Sequence, residues 1–248
     1  FDLGAYASRQ TYVSGMAVKR AGELLRDKVL DFAAFRLKKP AAELDIRADH
    51  VVRKSNGNPY VSLADLAVDA QYNRERAERF FAEASIDCHE NTISTGVTFA
   101  EVEVDIPLGK VTILNILNVH DSGVLINPKL AEGQVHGGMS MGIGYALFEE
   151  LLYDEKGRPL NDNLLDYKLP TAMDQPDLHA AFVELEDPTG PYGNKALGEP
   201  PAISPAPAIR NAVLQATGVA VDSLPLSPQK LVEYFVKAGL IKEVAQHV

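Results

Sequence analysis

The first stretch of regular hydrophobic spacing lies at residues 16–25, where apolar side chains recur every three or four positions. This spacing places them on one face of a helix. A loop rich in Gly, Ser and Tyr precedes it at residues 4–11. We therefore predict a loop followed by an amphipathic helix within the first 35 residues.

The pattern changes to short apolar stretches between residues 43 and 63. Residues 44–46 and 51–52 accompany a turn signal at residues 55–59, whose Asn-Gly pair supplies the positive φ angles of a hairpin turn. Ser62 then stands where an N-cap is expected, with Asp65 three positions later. We predict a hairpin and then a short helix through residue 70.

Residues 98–120 contain two stretches of alternating apolar and polar residues, separated by Leu108-Gly109-Lys110. Alternation over such a length is typical of β-strands with one buried face. A glycine between the two stretches favours a tight turn. The sequence therefore predicts two antiparallel strands here.

Residues 128–153 have the composition of a long helix but carry five glycines. These are Gly133, Gly137, Gly138, Gly142 and Gly144. Each glycine inside a helix costs about 0.5–1 kcal/mol relative to Ala. Such a load indicates either close approach by another backbone or a ligand, or tight packing of the helix against a sheet, and the pattern does not separate these alternatives.

The last third alternates loops and strands and ends in two helices. Ser204-Pro205 and Ser227-Pro228 each combine an N-cap with proline at the first helical position. Gly218 and Gly239 are placed to end these helices. Because strands and helices mix without a strict βαβ rhythm, we predict an α+β fold with mixed or antiparallel sheets and packed helices. We place residues 1–95 in a helical and hairpin part and residues 96–248 in a sheet-and-helix part, the two forming one intertwined region.

The charge balance argues against two classes of partner. The net charge is −10, from 24 Lys+Arg against 34 Asp+Glu, and no basic run of the kind that binds nucleic acid is present. An acidic surface also repels anionic lipid headgroups, and no apolar stretch reaches membrane-spanning length. We expect neither a nucleic-acid partner nor a membrane.

The single cysteine, Cys88, limits the redox chemistry of the chain. One thiol cannot form an internal disulfide, an iron–sulfur cluster or a four-cysteine zinc site. The six histidines show no HxxxH or HExxH spacing either. We expect Cys88 to be an apolar packing residue, and a reducing compartment, the cytoplasm, is the simplest location.

The segment at residues 190–201 has the most unusual local chemistry. Glu199 stands between Gly198 and the pair Pro200-Pro201. A proline disfavours helical backbone at the preceding residue, so we expect an extended, rigidly aimed carboxylate, with Gly198 leaving space for close approach. Such an arrangement suits a general base, although the same pattern also suits a surface loop with a solvated Glu.

Four stretches in a consistent order resemble the xanthine dehydrogenase and aldehyde oxidase family of molybdenum hydroxylases. Residues 195–201 (KALGEPP) resemble the segment that holds the family's catalytic glutamate. Residues 4–11 look like the loop around the molybdopterin, and residues 121–138 like the start of a helix that supplies a cofactor-contacting Gln. Residues 205–231 are similar to the C-terminal helices. The chain thus resembles a C-terminal part of the molybdopterin-binding large subunit, and its start at Phe1 without Met agrees with a fragment or a processed chain.

The resemblance implies a set of site residues. Glu199 would be the catalytic general base. The predicted cofactor-binding residues, which offer hydroxyls, amides and main-chain N–H groups, are Ala7, Ser8, Arg9, Gln10, Gln134 and Gly198. None of them would ligate the metal, because the pterin dithiolene holds the molybdenum. Without the resemblance, each of these polar groups would also suit a satisfied loop or core position.

The resemblance also implies a reaction and its partners. Family members hydroxylate a heterocycle, such as a purine like xanthine, or an aldehyde carbon with oxygen from water. Glu199 would deprotonate a molybdenum-bound hydroxyl while hydride passes to a sulfido ligand. The cofactor would be molybdopterin, in its simple form or as a cytosine dinucleotide. Iron–sulfur clusters and FAD would sit on partner subunits or domains, within an oligomer. Alone, the fragment should be inactive, and the alternative is a noncatalytic, cofactor-free assembly module.

Overall fold

The structure is a computed structural model that describes residues 4–87 and 90–242. Contacts within the chain divide it into two compact units, residues 13–89 and residues 1–12 together with 90–248. The division differs from the predicted boundary at residue 95/96, chiefly because the loop at residues 4–11 groups with the C-terminal part. Cys88 lies outside the described residues.

Six helices and six strands make up the described chain, together with short helical turns. The helices are α1 (Gly15–Leu37), α2 (Leu63–Tyr72), α3 (Pro128–Leu147), α4 (Pro200–Ile203), α5 (Pro205–Thr217) and α6 (Pro228–Lys237). The strands are β1 (Leu44–Arg47), β2 (His50–Arg53), β3 (Pro59–Ser62), β4 (Thr95–Asp105), β5 (Lys110–Asp121) and β6 (Leu178–Phe182). None of the described helices is both long and apolar enough to cross a bilayer.

The unit of residues 13–89 packs α1 and α2 with a three-stranded antiparallel sheet in the order β1-β2-β3. The predicted Asn-Gly turn joins β2 to β3, with Gly57 at φ +75°. The predicted N-cap of α2 is confirmed, since Ser62 Oγ accepts a hydrogen bond from the N–H of Asp65 at 3.0 Å. Fully buried Phe32, from α1, and Leu66, from α2, lie in its core.

The larger unit contains a mixed sheet in the order β4-β5-β6. The predicted hairpin is confirmed, because β4 and β5 pair antiparallel across a turn with Gly109 at φ +61°. β6 then pairs parallel with β5. One apolar core joins this sheet to α3, α5 and α6. The mixed sheets with packed helices confirm the α+β prediction.

The glycines of α3 explain how the short helix α4 reaches its position. A Cβ on Gly138 would lie 2.6 Å from Pro201 Cβ, and one on Gly142 would lie 2.7 Å from Pro205 Cβ. Both glycines therefore let the start of α4 and of α5 approach the α3 backbone. Of the alternatives open from the sequence, close approach by another segment is the one seen. The helix itself ends at Leu147 rather than near residue 153.

Candidate active site

A cleft of about 740 Å³ lies in the larger unit between the loop at residues 4–11, the start of α3 and the loop that leads into α4. The volume is within the usual range for small-molecule and cofactor sites. Its lining residues are Ala5, Tyr6, Ala7, Ser8, Gln10, Thr11, Ser122, Leu125, Ile126, Asn127, Leu130, Ala131, Gln134, Asn194, Lys195, Leu197, Gly198 and Glu199.

The cleft brings together predicted site residues that are far apart in the sequence. Those that line it are Ala7, Ser8, Gln10, Gln134, Gly198 and Glu199. Arg9 is not among the lining residues, and its exposed guanidinium lies 5.1 Å from the centre of the Tyr6 ring. The motifs thus predicted that these residues lie close together, whereas the role of each residue stays a prediction.

Glu199 does not have the extended backbone expected of a residue that precedes proline. Its φ and ψ are −86° and −34°, in the right-handed helical region, and it forms the N-cap of α4. The expectation was wrong because contacts distant in sequence override the local preference. In particular, the N–H of Glu199 bonds to Ser8, and the buried side chain of Asn118 donates to Pro201 O at 3.0 Å.

The hydroxyl of Ser8 makes two hydrogen bonds to Glu199. Ser8 Oγ donates to Glu199 Oε2 at 2.6 Å and accepts from the Glu199 N–H at 2.6 Å. A hydrogen bond to a charged acceptor is stronger than one between neutral groups. One side chain therefore fixes both the main chain and the carboxylate of Glu199.

Gln134 holds the same region from the other side. It lies in the second turn of α3, after the cap in which Asn127 Oδ1 accepts from the Leu130 N–H at 3.1 Å. Gln134 Nε2 donates to Gly198 O at 3.1 Å. An amide group has a second N–H and an acceptor oxygen, so Gln134 keeps hydrogen-bonding capacity for a ligand.

A buried ion pair supports the loop that carries Glu199. Lys195 Nζ lies 2.6 Å from Asp121 Oδ2, with the two side chains 12% and 8% exposed. Burial alone would raise the pKa of Asp121, but the hydrogen bonds from Lys195 and from the N–H groups of Gly123 and Leu185 outweigh it and hold that pKa below its ordinary value. The N–H of Lys195 also bonds to Ser122 O at 2.8 Å.

The cleft wall contains two buried polar atoms that lack a hydrogen-bond partner among the described residues. These are Ser122 Oγ and Asn194 Oδ1, in residues that are 1% and 8% exposed. Buried polar groups in proteins are almost always paired with protein, water or ligand. The cleft therefore offers spare hydrogen-bonding capacity of the kind that a ligand rich in polar groups would use.

A second groove, of about 560 Å³, borders the cleft at Gln134 and Glu199. Its other lining residues are mostly apolar and come from α3 and from α4: Gly137, Gly138, Met141, Tyr145, Ala202 and Ile203, together with Gly198. Glu199 therefore lines both the cleft and the apolar groove. The described residues contain no group of three or more His, Cys, Asp or Glu that could hold a metal ion.

Several cleft residues were not found by sequence reasoning. Ser122, Leu125 and Asn127 line the cleft and lie in the segment at residues 121–138 that resembles the family, but the resemblance implies no individual role for them. Lys195 is the first residue of the Glu199 motif, and Asn194 directly precedes it. Their positions at the ends of predicted elements were the available signal, since loops that follow strands commonly carry site residues.

Comparison with known families and proteins agrees with the motif pattern. The family model of the molybdopterin cofactor-binding domain matches residues 1–176. The chain is 54% identical over 243 residues to the putative xanthine dehydrogenase molybdenum-binding subunit XdhA of Escherichia coli K12. The match covers 97% of this chain and 32% of that protein. The chain thus spans about a third of the length of this relative.

Solved structures show the same fold. The CO dehydrogenase of Oligotropha carboxidovorans matches with a TM-score of 0.85 at 28% identity, over 97% of this chain and 30% of that one. The quinoline 2-oxidoreductase of Pseudomonas putida 86 also has a TM-score of 0.85 at 28% identity, over 94% of this chain and 31% of that one.

Proposed function

This chain belongs to the molybdopterin cofactor-binding domain family, and on that premise we propose that it forms one wall of the active site of a molybdenum hydroxylase of the xanthine dehydrogenase type, with Glu199 as general base. The observation that carries the proposal is the position of Glu199 in one cleft with Ser8, Gln10 and Gln134. These residues are the ones that the family resemblance implies.

The residues of the cleft fit a molybdopterin. Its pterin and phosphate groups need hydroxyl, amide and main-chain partners, and Gln10, Gln134, Ser122 and Asn194 supply them, the last two through buried atoms without a partner among the described residues. When bound, the cofactor would supply a Lewis acid and an electron sink. We propose molybdopterin, in its simple form or as the cytosine dinucleotide, as the cofactor.

Glu199 has the properties that proton removal requires. Its carboxylate is fixed through Oε2 by Ser8, and general bases must lie in a defined geometry before their proton affinity matters. Glu199 would accept a proton from a hydroxyl group held in the cleft. We propose a heterocycle, of which a purine such as xanthine is the leading example, or an aldehyde as the substrate.

The relative named a molybdenum-binding subunit supports a role for this chain within a larger assembly. We propose that the remaining part of the molybdenum subunit and iron–sulfur and FAD subunits or domains are its partners, in an oligomeric enzyme. We also propose a cytoplasmic location.

Replacing Glu199 by Gln in the complete holoenzyme tests the central assignment. The amide cannot accept the proton, and general bases contribute about 10²–10⁴-fold to rate, so turnover should fall by that factor at full molybdenum content. The matched control is Glu132→Gln, which changes an exposed carboxylate of α3 that does not line the cleft. Turnover of Glu199→Gln within a few-fold of the wild type, with full molybdenum, would contradict the proposal.

The rival function, a noncatalytic assembly module without cofactor, predicts a different composition. Molybdenum and the fluorescent pterin oxidation product should each be found at one equivalent per chain in the complete complex if the chain lines an active site. Their absence from a complex that contains all subunits would support the module instead.

A further inference from the structure

Ser8 is the residue in the cleft that bonds directly to the side chain of Glu199. We propose that Ser8 is a positioning residue for Glu199, whose hydroxyl holds Oε2 and the main-chain N–H so that Oε1 is the oxygen that takes up the proton. This inference rests on the proposed function, because it assigns Ser8 a role only if Glu199 is the base.

Two short hydrogen bonds join Ser8 to Glu199 across the fold. Both bonds are 2.6 Å long, and they join residues 191 positions apart in the sequence. The Ser8 hydroxyl donates its one proton to Oε2 of Glu199 and accepts the Glu199 N–H with one lone pair, so both bonds go to Glu199. Within the described part of the chain, Glu199 Oε1 accepts no hydrogen bond from the protein, so the two carboxylate oxygens are not equivalent.

The backbone around Ser8 has a conformation that L residues rarely adopt. Ala7 and Ser8 have φ values of +49° and +56°, in the left-handed region, which disfavours any residue with a Cβ. Such conformations persist where surrounding contacts determine them, and they are frequent at functional sites. A loop adjusted only for stability would be expected to carry glycine here, whereas this loop carries a residue with a hydroxyl at the position that meets Glu199.

Gly198 allows this contact to form. A Cβ on Gly198 would lie 3.0 Å from Ser8 Oγ and 3.2 Å from Ser8 Cβ. A side chain at position 198 would therefore press on Ser8 and lengthen its bonds to Glu199. Gly198, which the sequence predicts to leave space for close approach, thus leaves space for Ser8.

Two variants of the complete holoenzyme separate the hydroxyl from the backbone conformation. Ser8→Ala removes the hydroxyl but keeps a Cβ at the disfavoured φ. Ser8→Gly removes both the hydroxyl and the Cβ, so that this φ is no longer disfavoured. Ser223→Ala is the matched control, since it removes an exposed hydroxyl outside the cleft. The measurements are kcat and KM, molybdenum and pterin content, and the position of the Glu199 side chain in crystal structures.

If Ser8 positions Glu199, both variants lose about 10- to 100-fold in kcat, as small misplacements of a reacting group do. The loss falls on kcat rather than on KM, because a displaced base slows the chemical step without weakening substrate binding. Molybdenum and pterin content stay at the wild-type level, and the Glu199 carboxylate occupies a different position in the crystal.

Three results would overturn the inference. Ser8 does not position Glu199 if both variants keep the wild-type kcat and the wild-type carboxylate position. Ser8 holds the cofactor instead if molybdenum and pterin are lost in the variants. If Ser8→Ala alone is impaired, the hydroxyl serves only to maintain the backbone conformation of the loop. A failure of the proposed function can be told apart from a failure of this inference. In the first case Glu199→Gln retains turnover, while the Ser8 variants still move the Glu199 carboxylate.

Discussion

Ser8 and Gln134 bond to opposite ends of a single peptide group. The group joins Gly198 to Glu199, and it accepts a hydrogen bond from Gln134 Nε2 at its carbonyl and donates one to Ser8 Oγ from its N–H. A peptide group is planar, so two such bonds fix its orientation. The loop at residues 4–11 and helix α3 therefore jointly determine where the Glu199 side chain begins.

Replacing Gly198 by Ala should disturb this arrangement without unfolding the protein. The added Cβ would lie 3.0 Å from Ser8 Oγ, tighter than an ordinary contact, so Ser8 must shift by a few tenths of an ångström. We expect turnover of the holoenzyme to fall about 10- to 100-fold with molybdenum content retained. Gly22→Ala, where an added Cβ meets no atom within 4 Å, should leave turnover unchanged. Equal turnover in both variants would show that the contact is unimportant.

Two glycines of α3 should respond in opposite directions to the same substitution. A Cβ on Gly138 would lie 2.6 Å from Pro201 Cβ, whereas one on Gly133 meets nothing within 4 Å. We expect Gly138→Ala to destabilise by about 1–3 kcal/mol through overpacking, and Gly133→Ala to stabilise by about 0.5–1 kcal/mol. Thermal unfolding of the intact subunit measures both, and a lower midpoint for Gly133→Ala would contradict the packing argument.

His120 should make stability depend on pH near neutrality. It is 1% exposed, and burial lowers its pKa below the ordinary value of 6.5. The unfolded chain therefore binds a proton before the folded one does, so stability is lost as the pH falls below 6.5 towards the lower pKa of the folded state. The unfolding midpoint should drop less between pH 7.5 and 5.5 in His120→Gln than in the wild type. Parallel curves would contradict this.

Much of the fold was predictable because its signals are local. The Ser62 and Asp65 cap, the Gly109 turn and the end of α5 at Gly218 each depend on residues a few positions apart. The reason for a glycine at position 138 was not predictable, because its contact partner Pro201 is distant in sequence. Packing against another segment and contact with a ligand would each favour glycine there.

The candidate site shows the same limit. The motifs identified Glu199, Ser8 and Gln134 as members of one site, but not the bonds between them. The backbone of Glu199 was mispredicted, because the rule for residues before proline considers only neighbours, whereas Ser8 and Asn118 act across the fold.

The buried pair of Lys195 and Asp121 gives a stability prediction with a defined pH range. Removing one partner of a buried pair costs about 3–5 kcal/mol, since the other charge stays buried and unpaired. Lys195→Met should therefore lower the unfolding midpoint strongly at neutral pH. The control is Arg158→Met, which breaks an exposed pair with Asp154 and should cost at most about 0.5 kcal/mol.

Acid should reduce the difference between Lys195→Met and the wild type. The pKa of Asp121 is held below its ordinary value of 3.8 in the folded state, so the stability that the pair contributes is present above that value and is lost as the pH falls through the lower, folded pKa. Adding Asp121→Asn to Lys195→Met should restore part of the loss at pH 7, because the unpaired charge is removed. If the midpoint difference stays constant from pH 7 to pH 3, the effect of Lys195→Met comes from packing rather than from the ion pair.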